Sequence, residues 1–155
     1  MAARSFPEAG RNALRAGLPW SRLAIFRPDP WPFADGSFDC VVLAFLLHHV
    51  SGGDAGCGAV LREAARVAHG RVLVLEDQPG AAGSEAARRL AWRVTEEHFR
   101  PFGQDPAEWL AAVRPDEAWR RLFAEAGLEV RRARPVPGTL RHPVPHVAYE
   151  LARQG

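Results

Sequence analysis

Polar residues with chemistry to offer interrupt the apolar runs of this chain at three places. Asp29 stands between two prolines, just ahead of an apolar elbow, Trp31-Pro32-Phe33. His48 and His49 close the run from Phe38 to Leu47, and Glu76 and Asp77 close the run from Arg71 to Leu75. A carboxylate beside a stiff apolar elbow suits a flat heteroaromatic ring with an exocyclic donor; a solvated turn residue is the alternative for Asp29. Imidazoles at a strand end can orient a ligand or take a proton near neutral pH, with His49 lining the site, and capping or packing is the alternative for either ring. Two adjacent carboxylates can hold a substrate amine or act as base, and Asp77 can instead bond within the Gln78-Pro79-Gly80 turn. Neighbouring histidines at the end of a strand point to opposite faces, so they do not readily chelate one ion and no metal is expected.

The elements that must position these groups follow from periodicity. Phe38 to Leu47 is apolar except for Asp39 and reads as a strand buried on both faces, as in a parallel sheet covered by helices. Open α/β sheets bind ligands at the carboxyl edge, which is where both histidines and both carboxylates fall. Upstream, Arg22 to Phe26 is a short strand candidate ended by Pro28. Residues 1–21 form an arm or a short helix, set apart from a domain over 22–155. Asp54 is a plausible N-cap, and the apolar positions from Ala59 to Ala68 give a helix face, with Gly70 at the C-cap position. Arg71 to Leu75 is a second buried strand, reached by a right-handed crossover.

Further along, Ser84 caps a helix to about Phe99, and Trp92, His98 and Trp109 read as core aromatics. Asp116 opens a strongly marked helix with Trp119, Leu122, Phe123 and Ala126 at helical spacing, ended by Gly127-Leu128. Leu128 to Val136 and His146 to Leu151 are the last strands. The nine residues from Pro137 to Pro145 are too few for a helical crossover, so the final strand should run antiparallel to its predecessor.

Composition bounds the function. The 155 residues are one domain's worth, with 47% hydrophobic and 25% charged content, ordinary for a soluble globular chain. A formal charge of +2 is too small for an electrostatic nucleic-acid binder. All 20 basic residues are arginine, but they are scattered, and biased codon usage explains them better than phosphate recognition. Cys40 and Cys57 fit no zinc spacing, and Cys40, inside the central strand, should be a small reduced hydrophobe. With no long apolar span and no leader pattern, no membrane is implicated and the expected compartment is the cytoplasm.

The segment Pro32-Phe33…Asp35-Gly36-Ser37-Phe38-Asp39 followed by Leu47-His48-His49-Val50, then LREAARV and GRVLVLED, resembles the second half of class I S-adenosylmethionine-dependent methyltransferases, in particular those acting on small molecules. The resemblance runs from about Leu23 to Leu151. It implies a truncated Rossmann-like α/β sheet, mostly parallel with an antiparallel last strand and helices on both faces. It also implies S-adenosyl-L-methionine as cofactor and a small-molecule acceptor. By the same resemblance Asp29 would accept from the adenine amino group beside Trp31. Ala44 and Phe45 would pass the methionyl end, and His48 and His49 would border the donor–acceptor cleft, with His49 as the proton acceptor. Glu76 and Asp77 would face the acceptor.

The family's glycine-rich D-x-G-x-G-x-G loop does not occur in this sequence. Its loss would leave the strand at Phe38–Leu47 as an apolar edge, prone to pairing. Arg22–Phe26, a second copy of the chain, or nothing at all in a shortened gene product would then lie beside it. The alternative to an enzyme is a non-catalytic relative that keeps the scaffold as a binding or docking module.

Overall fold

A computed structural model describes residues 30–78, 89, 92, 93, 96, 113–138 and 144–155. Among the described residues the elements with complete bounds are β1 (Phe38–Ala44), α1 (Gly53–Val67), β2 (Ala68–Asp77), α2 (Asp116–Glu125), β3 (Leu128–Val136) and β4 (His146–Arg153), with a 3-10 turn at Leu47–His49. The sheet order is β1-β2-β4-β3. Strands β1 and β2 pair in parallel, with Leu43 opposite Val74 and Ala44 opposite Leu75. The last strand, β4, inserts between β2 and β3 and is antiparallel to both. Three strands therefore share one direction and β4 opposes them, as the short Pro137–Pro145 connection requires.

One face of this sheet is packed. Leu43, Val72, Val74, Tyr149 and Leu151 meet Val60, Leu61 and Ala64 of α1 and Trp119, Leu122 and Phe123 of α2 in a single core. The stripe in α2 is the one its sequence spacing marks, and Trp119 stacks on Phe123 while Phe123 meets Tyr149 edge-on. Gly127, at φ +76°, takes the left-handed turn that ends α2, and buried Leu128 starts β3 directly. Most of the expected helix over 84–99 lies outside the described residues, although Arg89, Trp92, Arg93 and Glu96 are helical. So do the Arg22–Phe26 strand, His98 and Trp109.

Three expectations are corrected. The central strand is not buried on both faces: only Leu43 of β1 is buried, and Cys40 is exposed and Val42 62% exposed. Among the described residues β1 pairs on one side only, which leaves its other edge open. The strand also stops at Ala44 rather than Leu47, for a reason given below. Helix α1 begins with Gly52, not Asp54, at its N-cap and ends at Val67, running into β2 at Ala68 with no intervening loop. Asp54 instead sits in the first turn, where it suits the helix dipole, and reaches across to Arg114 at 2.8 Å. Gly56 completes this start: a Cβ there would lie 2.0 Å from the Ser51 carbonyl oxygen, so only glycine admits the close approach of the 51–53 turn.

Candidate functional site

The carboxyl edge of β1 and β2 is built around one buried carboxylate. Glu76, with its side chain fully buried, accepts hydrogen bonds at Oε1 from the Leu46 and Leu47 backbone N–H groups (3.1 and 2.7 Å). At Oε2 it accepts from His48 Nδ1 at 2.6 Å. One residue earlier, the Phe45 N–H donates to the Leu75 carbonyl at 2.8 Å. Three consecutive backbone donors are thus captured by the end of β2, and this turns the chain out of the strand. Phe45 adopts φ +50°, the only non-glycine in the left-handed region among the described residues. Such a conformation costs on the order of 1–3 kcal/mol and persists where surrounding contacts over-determine it.

The consequence for the histidines is direct. They lie on a 3-10 turn, not on a strand end, and their rings sit 4.1 Å apart, centroid to centroid, instead of on opposite faces. His48 is 7% exposed and oriented by Glu76, whereas His49 is exposed. Burial of part of the ring, reinforced by the neighbouring His48, lowers the His49 pKa from its ordinary value against the opposing pull of Glu76. Behind the turn, the buried Cys57 thiol donates to the Leu47 carbonyl at 3.2 Å, and burial raises its pKa.

Asp77, on the opposite face of β2, forms a second carboxylate–imidazole pair. Its Oδ1 lies 2.7 Å from His146 Nδ1, the residue directly opposite it on β4. Burial pushes the Asp77 carboxyl up, against the attraction of His48 and His146. The Phe45 ring meets the His146 ring edge-on at 5.0 Å. Next in line, the Gln78 amide donates to Tyr149 Oη at 3.2 Å, and Tyr149 donates to Asp116 Oδ1 at 2.7 Å. Burial would raise Asp116, but the bonds from Tyr149 and from Arg120 outweigh it and hold its pKa below the ordinary value.

Of the sequence candidates, Ala44, Phe45, His48, His49, Glu76 and Asp77 are brought to this one edge. Trp31 is not. Its N–H donates to Glu63 Oε2 at 2.6 Å and its carbonyl accepts from Arg66 at 3.1 Å. Glu63 and Arg66 lie in the last turns of α1, which run into the start of β2, so Trp31 is fastened at the amino edge of the sheet. The same Arg66 guanidinium bonds the Phe33 carbonyl (2.8 Å), Asp35 (2.7 Å) and Glu63 (2.8 Å). Bonding from Arg66, then from the Trp31 amide, lowers the Glu63 carboxyl to about 2. Asp29 lies outside the described residues. Glu76 is fully buried and engaged at both oxygens by three protein donors, which shape the loop. His146 carried no signal in sequence, because its pairing to Asp77 depends on strand register across 69 positions.

Among the described residues no group of three or more potential ligands could hold a metal ion, and no helix is long and apolar enough to cross a membrane. Small, exposed Ala44, the exposed Phe45 ring and the His49 imidazole flank the turn, and these are residues that the resemblance assigns to the methionyl end of S-adenosylmethionine and to the donor–acceptor cleft.

Residues 9–75 match the family model described as "Methyltransferase domain", a match that begins inside the N-terminal arm and ends one residue before Glu76. No curated protein matches the chain. Among solved structures it is similar to the O-methyltransferase NcsB1 of neocarzinostatin biosynthesis, held there with S-adenosyl-L-homocysteine and 1,4-dihydroxy-2-naphthoic acid. The TM-score is 0.62 at 24% identity, over 96% of this chain and 39% of that one. Mitomycin 7-O-methyltransferase MmcR gives TM-score 0.59 at 19% identity, over 94% of this chain and 38% of that one. A SAM-dependent methyltransferase from Methanosarcina mazei gives 0.64 at 14% identity, over 97% and 78%. The chain thus spans about two fifths of the length of the first two structures. Residues 9–75 are thus similar in sequence to a methyltransferase domain, and the fold is that of Rossmann-like S-adenosylmethionine-dependent methyltransferases.

Proposed function

We propose that this chain contributes the carboxyl-edge half of a site for S-adenosylmethionine-dependent methyl transfer to a small molecule. The observation that carries the reading is the strained Phe45 turn, held by Leu75 and Glu76, which brings the chain from the small Ala44 out to the His48–His49 imidazoles at the carboxyl edge. The bound cofactor supplies an electrophilic methyl group on a sulfonium. Transfer is an in-line displacement that asks chiefly for alignment and a dry cleft. Ala44 and Phe45 flank the methionyl end, with His48 fixed behind them by Glu76. His49, kept neutral by its lowered pKa, takes the acceptor's proton. Asp77 lies on the acceptor side. Asp29 would serve the adenine, whereas Trp31 supports the amino edge. Both cysteines are free, which is in keeping with a cytoplasmic chain.

The test is calorimetry of the full chain with S-adenosylmethionine, followed by transfer of labelled methyl to 1,4-dihydroxy-2-naphthoic acid, the molecule bound by NcsB1. A micromolar dissociation constant, weakened by Ala44→Trp, with turnover reduced by His49→Gln at unchanged cofactor affinity, supports the reading. Absence of any heat with the cofactor overturns it.

The edge of β1, unpaired among the described residues and with Val42 exposed, favours a second reading, a non-catalytic module that docks a second copy of itself through that strand. A concentration-dependent dimer in sedimentation, abolished by Val42→Lys, distinguishes it.

A further inference from the structure

His146 has none of the roles above, yet together with Asp77 it has the form of a built recognition point. Asp77 is nine-tenths buried, and its Oδ1 fixes His146 Nδ1 at 2.7 Å. A carboxylate partner assigns the proton to Nδ1 and leaves Nε2 as a lone-pair acceptor. No other hydrogen bond reaches the His146 ring among the described residues, and the ring is only partly exposed. The neighbours that frame it differ in kind. Asp77 faces it from β2, Val136 stands opposite it on β3, and the Phe45 ring lies edge-on at 5.0 Å. An oriented acceptor atom, one buried negative charge behind it and a flat apolar wall beside it make a place for a donor group on a planar molecule.

The geometry points to His146 as a specificity-determining residue, one that accepts a hydrogen bond from a hydroxyl of a flat aromatic methyl acceptor whose ring lies along Phe45. This inference rests on the methyl-transfer reading and deepens it by naming the acceptor class. Asp77 is the positioning residue, holding the tautomer and the ring angle. A site that hydrogen-bonds a substrate hydroxyl rejects the analogue lacking it much more strongly than an apolar pocket rejects a missing methylene.

The experiment is calorimetric titration of the full chain, saturated with S-adenosyl-L-homocysteine, by 1,4-dihydroxy-2-naphthoic acid and by its 1,4-dimethoxy counterpart. In the unmodified chain the dihydroxy compound should bind about tenfold more tightly, the value of one good hydrogen bond to an oriented ring. His146→Phe should erase that preference while leaving the dimethoxy affinity within about twofold, because only the hydroxyl contact is removed. Asp77→Asn keeps the ring and should reduce the preference partway, which decides the matter if His146→Phe fails to fold. A loss of affinity equal for both compounds would mark a merely structural role. Equal binding of the two by the unmodified chain, preference retained in His146→Phe, or no binding of either compound overturns the inference. Cofactor binding is read separately. Silence toward S-adenosylmethionine defeats the methyl-transfer reading, whereas cofactor binding without hydroxyl preference defeats this inference alone.

Discussion

At the amino end of the sheet, Arg66 gathers two backbone carbonyls and two carboxylates around the Trp31–Asp35 elbow. At the carboxyl end, Glu76 gathers two backbone N–H groups and one imidazole. The first cluster is half in solvent, with the Asp35 side chain 77% exposed, and its backbone is relaxed. The second is sealed and holds Phe45 in a disfavoured conformation. A guanidinium at a wet edge clamps a loop with little at stake for any single bond. A carboxylate with no access to water must find protein hydrogen-bond donors, so its partners become fixed in position. That difference separates a surface fastening from a sealed, fixed cluster.

Breaking the sealed cluster should have the largest effect. Glu76→Ala leaves Leu46, Leu47 and His48 without their acceptor, and urea unfolding should show a loss of about 3–5 kcal/mol. If the loss is no greater than that of an exposed carboxylate, the contrast between the two ends collapses. Next, Tyr149→Phe removes the link from Gln78 to Asp116, and about 1–2 kcal/mol should disappear in the same assay.

A pH series sharpens the comparison further. The folded chain holds His49 with a lowered pKa, so it binds fewer protons there than the unfolded chain does. Stability from this group is therefore complete above the unfolded value of 6.5 and falls as pH drops below it. His49→Gln should flatten that slope between pH about 7.5 and about 5.5, measured as the urea midpoint.

The wet cluster should respond only in acid. Glu63 is lowered to about 2 from 4.5, so its contribution is complete above the higher value and fades as pH falls toward the lower. Arg66→Gln should move the Glu63 carboxyl back toward its ordinary value, read by NMR titration, with the smallest change in stability of the set. A large destabilisation by Arg66→Gln would reverse the ranking of the two ends.

The elements were legible where the signal is local. Trp119, Leu122, Phe123 and Ala126 declare α2, and the nine-residue link between β3 and β4 forces their antiparallel pairing. Burial of β1 was not legible, because an apolar composition states what a strand can pack against and not what lies beside it. The expected placement of His48, His49, Glu76 and Asp77 together at the carboxyl edge is what the structure has. Their roles did not follow. Which carboxylate meets which imidazole is decided by the register of β2 against β4 and by the reversal at Phe45, both long-range facts. The setting of Trp31 is long-range for the same reason: its partners Glu63 and Arg66 lie more than 30 positions away.

Gly56 carries no functional group, yet it governs the spacing between the imidazoles and the helix behind them. Any side chain there must push the Ser51 carbonyl aside, and that lever arm ends at His49, two residues earlier. The geometry of this edge can therefore be shifted by a methyl group's worth of bulk placed on the far side of a turn, with every polar group left intact.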